Sequence, residues 1–231
     1  MIRIDKYLAD CGIGTRSEVK KYIKNKLVTV NGSVISKSDM KVNEEEDVVC
    51  FRNKEIHYEK YVYYLFHKPA GCVTAKQDNL HKTVLDYFPE DTPKDVSPVG
   101  RLDLDTEGLL LLTNDGPLAH HLLSPTHHIP KTYFAILDNE VPQDAIQLFK
   151  TGVDIGDDKL CLPAELQILS PNEASLTIHE GRFHQVKRMF EAVGCTVTYL
   201  KRISMGNIVL GDLPIGEYRR LTEEELASLQ K

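Results

Sequence analysis

Gly100-Arg101-Leu102-Asp103-Leu104-Asp105-Thr106-Glu107-Gly108-Leu109-Leu110-Leu111-Leu112-Thr113-Asn114-Asp115-Gly116 joins two unlike kinds of sequence. Leu109 to Leu112 is an unbroken apolar run, closed by the turn signal Asn114-Asp115-Gly116. Such a run predicts a strand buried on both faces. Immediately before it, Arg101, Asp103, Asp105 and Glu107 crowd a segment punctuated by Gly100 and Gly108. Charges beside a buried strand are costly unless they are paired or used. Two readings follow from the residues: a surface loop whose acids cap a turn, or a site.

Downstream, Pro117 suits the first turn of a helix over 118–124, and His120, His121, His127 and His128 follow closely. These histidines lack the spacing with cysteine or carboxylate that a metal site needs, so loop packing or RNA contact is the expectation. Lys131 to Leu137 reads as a strand, 142–151 as a helix, and 152–156 as a turn and strand. Residues 160–169 and 174–179 read as paired strands. Val186, Met189, Phe190 and Val193 then make one helical face with Gly194 as its cap. Arg182, His184, Lys187 and Arg188 gather at the start of that helix, a natural place for an anion. Strands over 197–203 and 207–210 and a terminal helix opened by Thr222 complete the chain.

Upstream, Thr83 to Phe88 reads as a short helix and Lys68-Pro69-Ala70-Gly71 as a turn after a strand from Tyr61. Residues 52–60 are polar and patternless and read as a linker. Before them, Ile4, Tyr7, Leu8 and Cys11 share a helical face, and Gly12 and Gly14 end that helix. Thr15 with Glu18 three residues on makes a capping box for a second helix reaching about Lys26. Two β-rich runs around Asn31-Gly32 form a hairpin signal, and Glu44 to Asp47 an acidic turn. Residues 1–40 hold eight Lys or Arg against four Asp or Glu, a local charge of +4 in a chain of −6. The cations lie mainly on the second helix, as Arg16, Lys20, Lys21, Lys24 and Lys26.

At 231 residues, 42% hydrophobic and 27% charged, the chain is an ordinary globular protein able to bury a core. Its net negative charge argues against a uniformly basic nucleic-acid coat but not against a local basic face. Cys11, Cys50, Cys72, Cys161 and Cys195 are far apart and odd in number. They suggest neither zinc nor a disulfide framework and read as small buried hydrophobes in a reducing compartment. No h-region opens the chain and no stretch approaches a membrane span, so a cytoplasmic protein without membrane contact is expected. The glycine motifs that bind nucleotides and dinucleotides are missing.

Gly-Arg-Leu-Asp-x-x-Thr-x-Gly-Leu-Leu-Leu-Leu-Thr-Asn-Asp-Gly, read gaplessly from Gly100, resembles the catalytic motif of the RsuA-type pseudouridine synthases. Lys131-Thr132-Tyr133 resembles the second motif of that family. Gly181-Arg182-Phe183-His184-Gln185-Val186-Lys187-Arg188-Met189 resembles its third, and the Lys-Pro-x-Gly turn the start of its synthase domain. The first 58 residues, clearest at Val28 to Gly32, are similar to the small RNA-binding domain first seen in ribosomal protein S4.

The resemblance implies an α+β protein. A helix-helix-hairpin RNA-binding domain over 1–58 would be flexibly joined to a catalytic domain over 61–231, built on a mixed, largely antiparallel sheet. It implies Asp103 as the catalytic residue, Lys187 as its cationic partner and Tyr133 as the aromatic of the active site. Arg101 would fill the space left by a flipped base, with Arg182, His184, Gln185 and Arg188 as further substrate contacts. Whether Tyr133 stacks or also acts as a base, and whether Asp103 attacks sugar or pyrimidine, stay open. The implied activity is isomerisation of a uridine in ribosomal RNA, without cofactor or metal, by a monomer. Small-subunit 16S RNA, met as a partly assembled subunit, is the expected substrate, and 23S RNA the alternative. A non-catalytic ribosome-assembly factor, and a metal-dependent nuclease using Asp103, Asp105 and Asp115, are the readings from other classes.

Overall fold

The computed structural model describes residues 1–230, which cluster into two compact units, one of Met1–Val62 with Phe88–Val96 and one of Tyr63–Tyr87 with Ser97 onward. The first unit contains a segment from later in the chain, so its cluster extends beyond the contiguous stretch 1–58.

In the first unit, β1 (Ile2–Arg3) leads into α1 (Ile4–Asp10) and α2 (Arg16–Lys24). The capping box read from Thr15 and Glu18 is present, with the Thr15 hydroxyl and the Glu18 carboxylate each serving the other's backbone N–H. Then come β2 (Val28–Val30), β3 (Ser33–Val34), β4 (Lys41–Val42), β5 (Val49–Phe51) and β6 (Lys54–Glu55). The order β3-β2-β5-β6 makes one antiparallel sheet, and β1 pairs with β4. Asn31 and Gly32 both have positive φ in the β2–β3 hairpin, as a two-residue primed turn requires. The Asn31 side chain also donates from Nδ2 to Asp47 and accepts at Oδ1 from Val48 N–H, so the acidic turn is fastened rather than merely solvated.

The linker expected over 52–60 starts later than the sequence reading has it. Arg52 and Asn53 form a left-handed two-residue turn, and Lys54–Glu55 folds back on β5. Ile4, Tyr7, Leu8, Val19, Ile23, Val28 and Val49 are buried together beneath this sheet. Asp5 is buried beside them; burial would raise its pKa, but the hydrogen bond from Arg3 and the charge of Arg16 hold it below the usual carboxylate range.

The second unit begins with β7 (Tyr63–Lys68), followed by a single 3-10 turn at Val84–Tyr87, β8 (Ser97–Val99) and β9 (Glu107–Thr113). Next are α3 (Gly116–Leu123), β10 (Lys131–Leu137), α4 (Ala145–Thr151), β11 (Glu165–Ser170) and β12 (Glu173–Ile178). The chain ends with α5 (Gln185–Glu191), β13 (Val197–Met205), β14 (Ile208–Val209), β15 (Tyr218–Arg220) and α6 (Glu223–Leu229). The strand order is β11-β12-β10-β13-β9-β7-β15, with β14 on β13 and β8 on β9. The β9–β13 pairing is parallel and the other pairings are antiparallel, so the sheet is mixed and largely antiparallel. No strand forms over 152–156, where one was expected, and the strand expected from Leu160 starts only at Glu165. Among the described residues no helix is long and apolar enough to cross a membrane.

β9 is the strand announced by the leucine run, and Leu109 to Leu112 are all buried. Leu109 and Leu111 pack with Leu118 and Leu122 of α3, Met205 of β13 and Leu229 of α6. Leu110 and Leu112 alternate to the other face. Burial of each leucine contributes roughly 2 kcal/mol. The sheet forks at this strand: β13 pairs with it only at Glu107 and Gly108, and β8 takes over from Leu111. Gly108 has φ +108°, and a Cβ there would collide with the backbone of Arg202. Gly108→Ala should therefore destabilise the protein by more than about 3 kcal/mol, seen as a large fall in melting temperature. Gly32→Ala, left-handed but with open space around it, should cost only about 1–2 kcal/mol.

Candidate active site

Asp103 and Asp105 stand on the loop between β8 and β9, and that loop is tied down by buried groups upstream. Lys68, at the end of β7, is fully buried, and its ammonium donates to the carbonyls of Pro69 (3.0 Å), Asp103 (3.0 Å) and Thr106 (2.9 Å). An ammonium has three protons; the three nearer carbonyls take them, and Leu104 O lies at 3.4 Å as a fourth acceptor. Burial lowers the pKa of this lysine, against the pull of Cys72 and the nearby acids. Gly71 N–H donates to Leu104 O at 2.8 Å, and the Thr74 hydroxyl both donates to Leu102 O and accepts from Leu102 N–H. The loop is thus held from Leu102 to Thr106 by the turn after β7.

Against this loop stands α5. The Lys187 ammonium lies 3.3 Å from Asp103 Oδ2 and 2.6 Å from Asp105 Oδ1. Burial works to lower the Lys187 pKa, but the hydrogen bond to Asp105 and the charges of both aspartates outweigh it and leave the ammonium above its ordinary value. The same hydrogen bond holds the Asp105 carboxyl below the usual range. His184 approaches from the other side, Nε2 3.7 Å from Asp103 Oδ1. It has positive φ and its ring stacks on Phe183 at 3.8 Å.

Asp103, Tyr133, Lys187, Arg101, Arg182 and His184 all line one cleft of about 610 Å³. Tyr133 is buried in the middle of the sheet, opposite Arg202 in the β10–β13 register. Arg101 is exposed at the edge. The other basic groups expected at the site are largely committed to the protein. Arg182 donates to Glu180 and to the carbonyls of Lys159 and Leu160. Arg188 bonds Asp157, Ile155 O and Phe183 O and does not line the cleft. Gln185 is buried, its amide donating to Glu180 and its carbonyl accepting from Arg182 N–H. These three brace the third motif, Arg182 and Gln185 at the cleft wall and Arg188 outside it. Its helix start is therefore not an open anion site.

Asp115 is also accounted for. It caps α3 through Leu118 N–H and accepts from the Tyr63 hydroxyl at 2.8 Å. It does not join Asp103 and Asp105, and among the described residues no group of three or more His, Cys, Asp or Glu is arranged to hold a metal ion. His121 and His127 stack at 3.9 Å between ring centres. Sequence reasoning missed Lys68 as a support of the loop, and Lys131 and Arg202 as cleft residues. The Lys-Pro-x-Gly turn marks the first; nothing in the sequence marks Arg202.

The chain that builds this cleft matches known proteins along its length. Residues 62–192 match the RNA pseudouridylate synthase family and residues 2–49 the S4 domain, so the chain belongs to the RNA pseudouridylate synthases. It is 42% identical to an RNA pseudouridine synthase of Bacillus subtilis (strain 168), YtzG, covering 100% of this chain and 99% of that one. It is 40% identical to ribosomal small subunit pseudouridine synthase A of Escherichia coli (strain K12), over 99% of this chain and 100% of the relative. A crystal structure of a pseudouridylate synthase superposes with a TM-score of 0.71 at 37% identity, covering 99% of this chain and 100% of that one. The chain is thus an enzyme, an isomerase acting on RNA, and the non-catalytic and nuclease readings fall away.

Lys68→Met should take the ammonium from three carbonyls, leaving Asp103 O with Thr106 N–H alone, Pro69 O with the Cys72 thiol alone, and Thr106 O without its buried donor. The expected result is a loss of roughly 3 kcal/mol in stability, measured by denaturant unfolding, together with loss of activity well below the melting temperature.

Proposed function

We propose that this enzyme converts a specific uridine of small-subunit 16S ribosomal RNA to pseudouridine, with Asp103 as the catalytic residue. The observation that carries the assignment is the Asp103–Lys187 contact of 3.3 Å inside the cleft that Tyr133 lines. The names of the Escherichia coli and Vibrio cholerae relatives support the small subunit as target. The substrate is read as a partly assembled subunit, met by a monomer in the cytoplasm.

The target base leaves its stack before a side chain reaches it. Arg101, exposed at the cleft's edge, occupies the space left behind. Asp103 acts as the carboxylate, either as nucleophile or against positive charge on the sugar. Lys187 stands 3.3 Å from it as the cationic partner, and Asp105 holds Lys187 in turn. Tyr133 stacks on the flipped uracil, and His184 borders Asp103. No redox change or energy input is required, because the product is an isomer of the substrate.

The direct experiment is incubation with unmodified small- and large-subunit RNA and mapping of pseudouridine; product confined to large-subunit RNA would overturn the small-subunit assignment. Asp103→Asn should abolish turnover with RNA binding kept. Lys187→Met should slow turnover with RNA affinity kept, because it removes the cation 3.3 Å from the Asp103 carboxylate. An unchanged single-turnover rate would remove Lys187 from that role.

The first unit is read as the part that grips RNA through α2. Lys20, Lys21, Lys24 and Lys26 are exposed, whereas Arg16 is shared with Asp5 at 3.3 Å. Phosphate contacts of this kind position RNA without reading bases. Replacing Lys20, Lys21 and Lys24 together by Gln should weaken RNA binding and reduce the log–log salt slope by roughly 0.7–0.9 for each phosphate no longer neutralised. An identical slope would make α2 a solvated face only.

A further inference from the structure

Two cations on the sheet floor of the cleft take no part in the mechanism above and are only partly used by the fold. Lys131 and Arg202 both line it. Arg202 is only 2% exposed; its Nε donates to Leu109 O at 2.7 Å, and its Nη2 is buried with no hydrogen-bond partner. An unpaired buried guanidinium N–H forfeits its hydration, so a fold keeps one only where something compensates. Lys131 stands two residues before Tyr133 on the same face of β10, and its ammonium donates to Ile129 O at 2.8 Å. Among the described residues neither cation has a carboxylate within ion-pair distance, in contrast to Lys187, Arg182 and Arg188 in the same unit. Burial, and then the charge of Arg202, lower the Lys131 pKa to about 8. This region of the cleft floor therefore carries positive charge without an acid to balance it.

We propose that Lys131 and Arg202 form a subsite for a carbonyl oxygen of the flipped uracil, stabilising the negative charge the base carries while it is detached from the sugar.

The proposal rests on the activity stated above. A phosphodiester is a poor fit to Arg202, because a phosphate is followed by chain in both directions while this group is nearly sealed by β10, β9 and β13. A base ends in its carbonyls and enters as a terminal group. When N1–C1′ breaks, the electron pair stays with the base and spreads onto O2 and O4. When C5–C1′ forms, that charge is consumed; C5 loses its proton and N1 gains one, so the product is an isomer. Charge on the ring oxygens is thus greatest between the two steps. Fixed cations aimed there favour that stage over the bound substrate, the condition for raising turnover rather than binding. Tyr133, opposite Arg202 in the β10–β13 register and two residues along β10 from Lys131, would set the plane in which the base presents an oxygen to them.

The test is a cycle between side chain and substrate atom. RNA fragments carrying uridine, 2-thiouridine or 4-thiouridine at the mapped target are compared in single turnovers, since sulfur accepts hydrogen bonds poorly. Lys131→Met should slow the uridine reaction on the order of 10²-fold, with RNA affinity and its salt slope unchanged. One of the two thio substitutions should slow the wild-type enzyme, and that same substitution should cost Lys131→Met little more. Lys131→Arg should restore most of the rate. Arg202→Lys should show the same loss of sensitivity, and Lys131→Gln replaces Lys131→Met should the apolar variant fail to fold. Additive effects at both oxygens in an active enzyme would overturn the subsite while leaving the activity intact. Weaker RNA binding with a reduced salt slope and no coupling would assign Lys131 to a phosphate and equally overturn it. An inactive wild-type enzyme would overturn the activity, and the subsite with it.

Discussion

Everything at the site depends on one buried ammonium. Lys68 reaches from the end of a core strand into the loop that carries Asp103 and satisfies the carbonyls of Asp103 and Thr106 there, and that of Pro69 in its own turn. The loop could not otherwise lie against the sheet, because buried carbonyls without donors are costly. A lysine suits this position better than a neutral donor, since one compact group supplies three protons in divergent directions. The charge it brings is balanced by carbonyl dipoles and by acids nearby rather than by a salt bridge. Both acids of the loop are then left to face Lys187.

That arrangement divides the labour between two surfaces of the cleft. On one, Asp103 and Asp105 share a single ammonium, and the third motif behind it is braced by Arg182, Gln185 and Arg188 through Glu180 and Asp157. On the other, the sheet supplies Tyr133 with the two unpaired cations, Lys131 and Arg202. Basic residues of equal rank in the sequence thus do unlike work: Arg182 and Arg188 are tied to acids as struts, while Lys131 and Arg202 lie at the cleft floor without an acid partner.

Much of this was legible beforehand where the signal is local. The leucine run became β9, Thr15 and Glu18 became a capping box, and Asn31-Gly32 became a hairpin, because each pattern fixes its own backbone. The family motifs brought Asp103, Tyr133 and Lys187 to notice, and the fold brings all three into one cleft. What escaped depends on distant partners. The β5–β6 hairpin turns through Arg52-Asn53, which carries none of the glycine that usually marks such a turn. Arg188 reads as a substrate cation until Asp157 is seen beside it. Gly108 reads as punctuation until the backbone of Arg202, 94 positions later, is found where its side chain would be.

The N-terminal unit has a further property with an evolutionary side. Its compact cluster takes in Phe88–Val96, a stretch inserted between elements of the other unit. The Gly12 Cα lies so near Asp91 O that no side chain fits between them. A contiguous piece cut from the chain's start therefore carries only part of this cluster, and the remainder keeps an orphaned segment. Exchange of this unit between relatives by a single recombination event would have to bring a matching insert along, so the two stretches are expected to change together as one inherited piece.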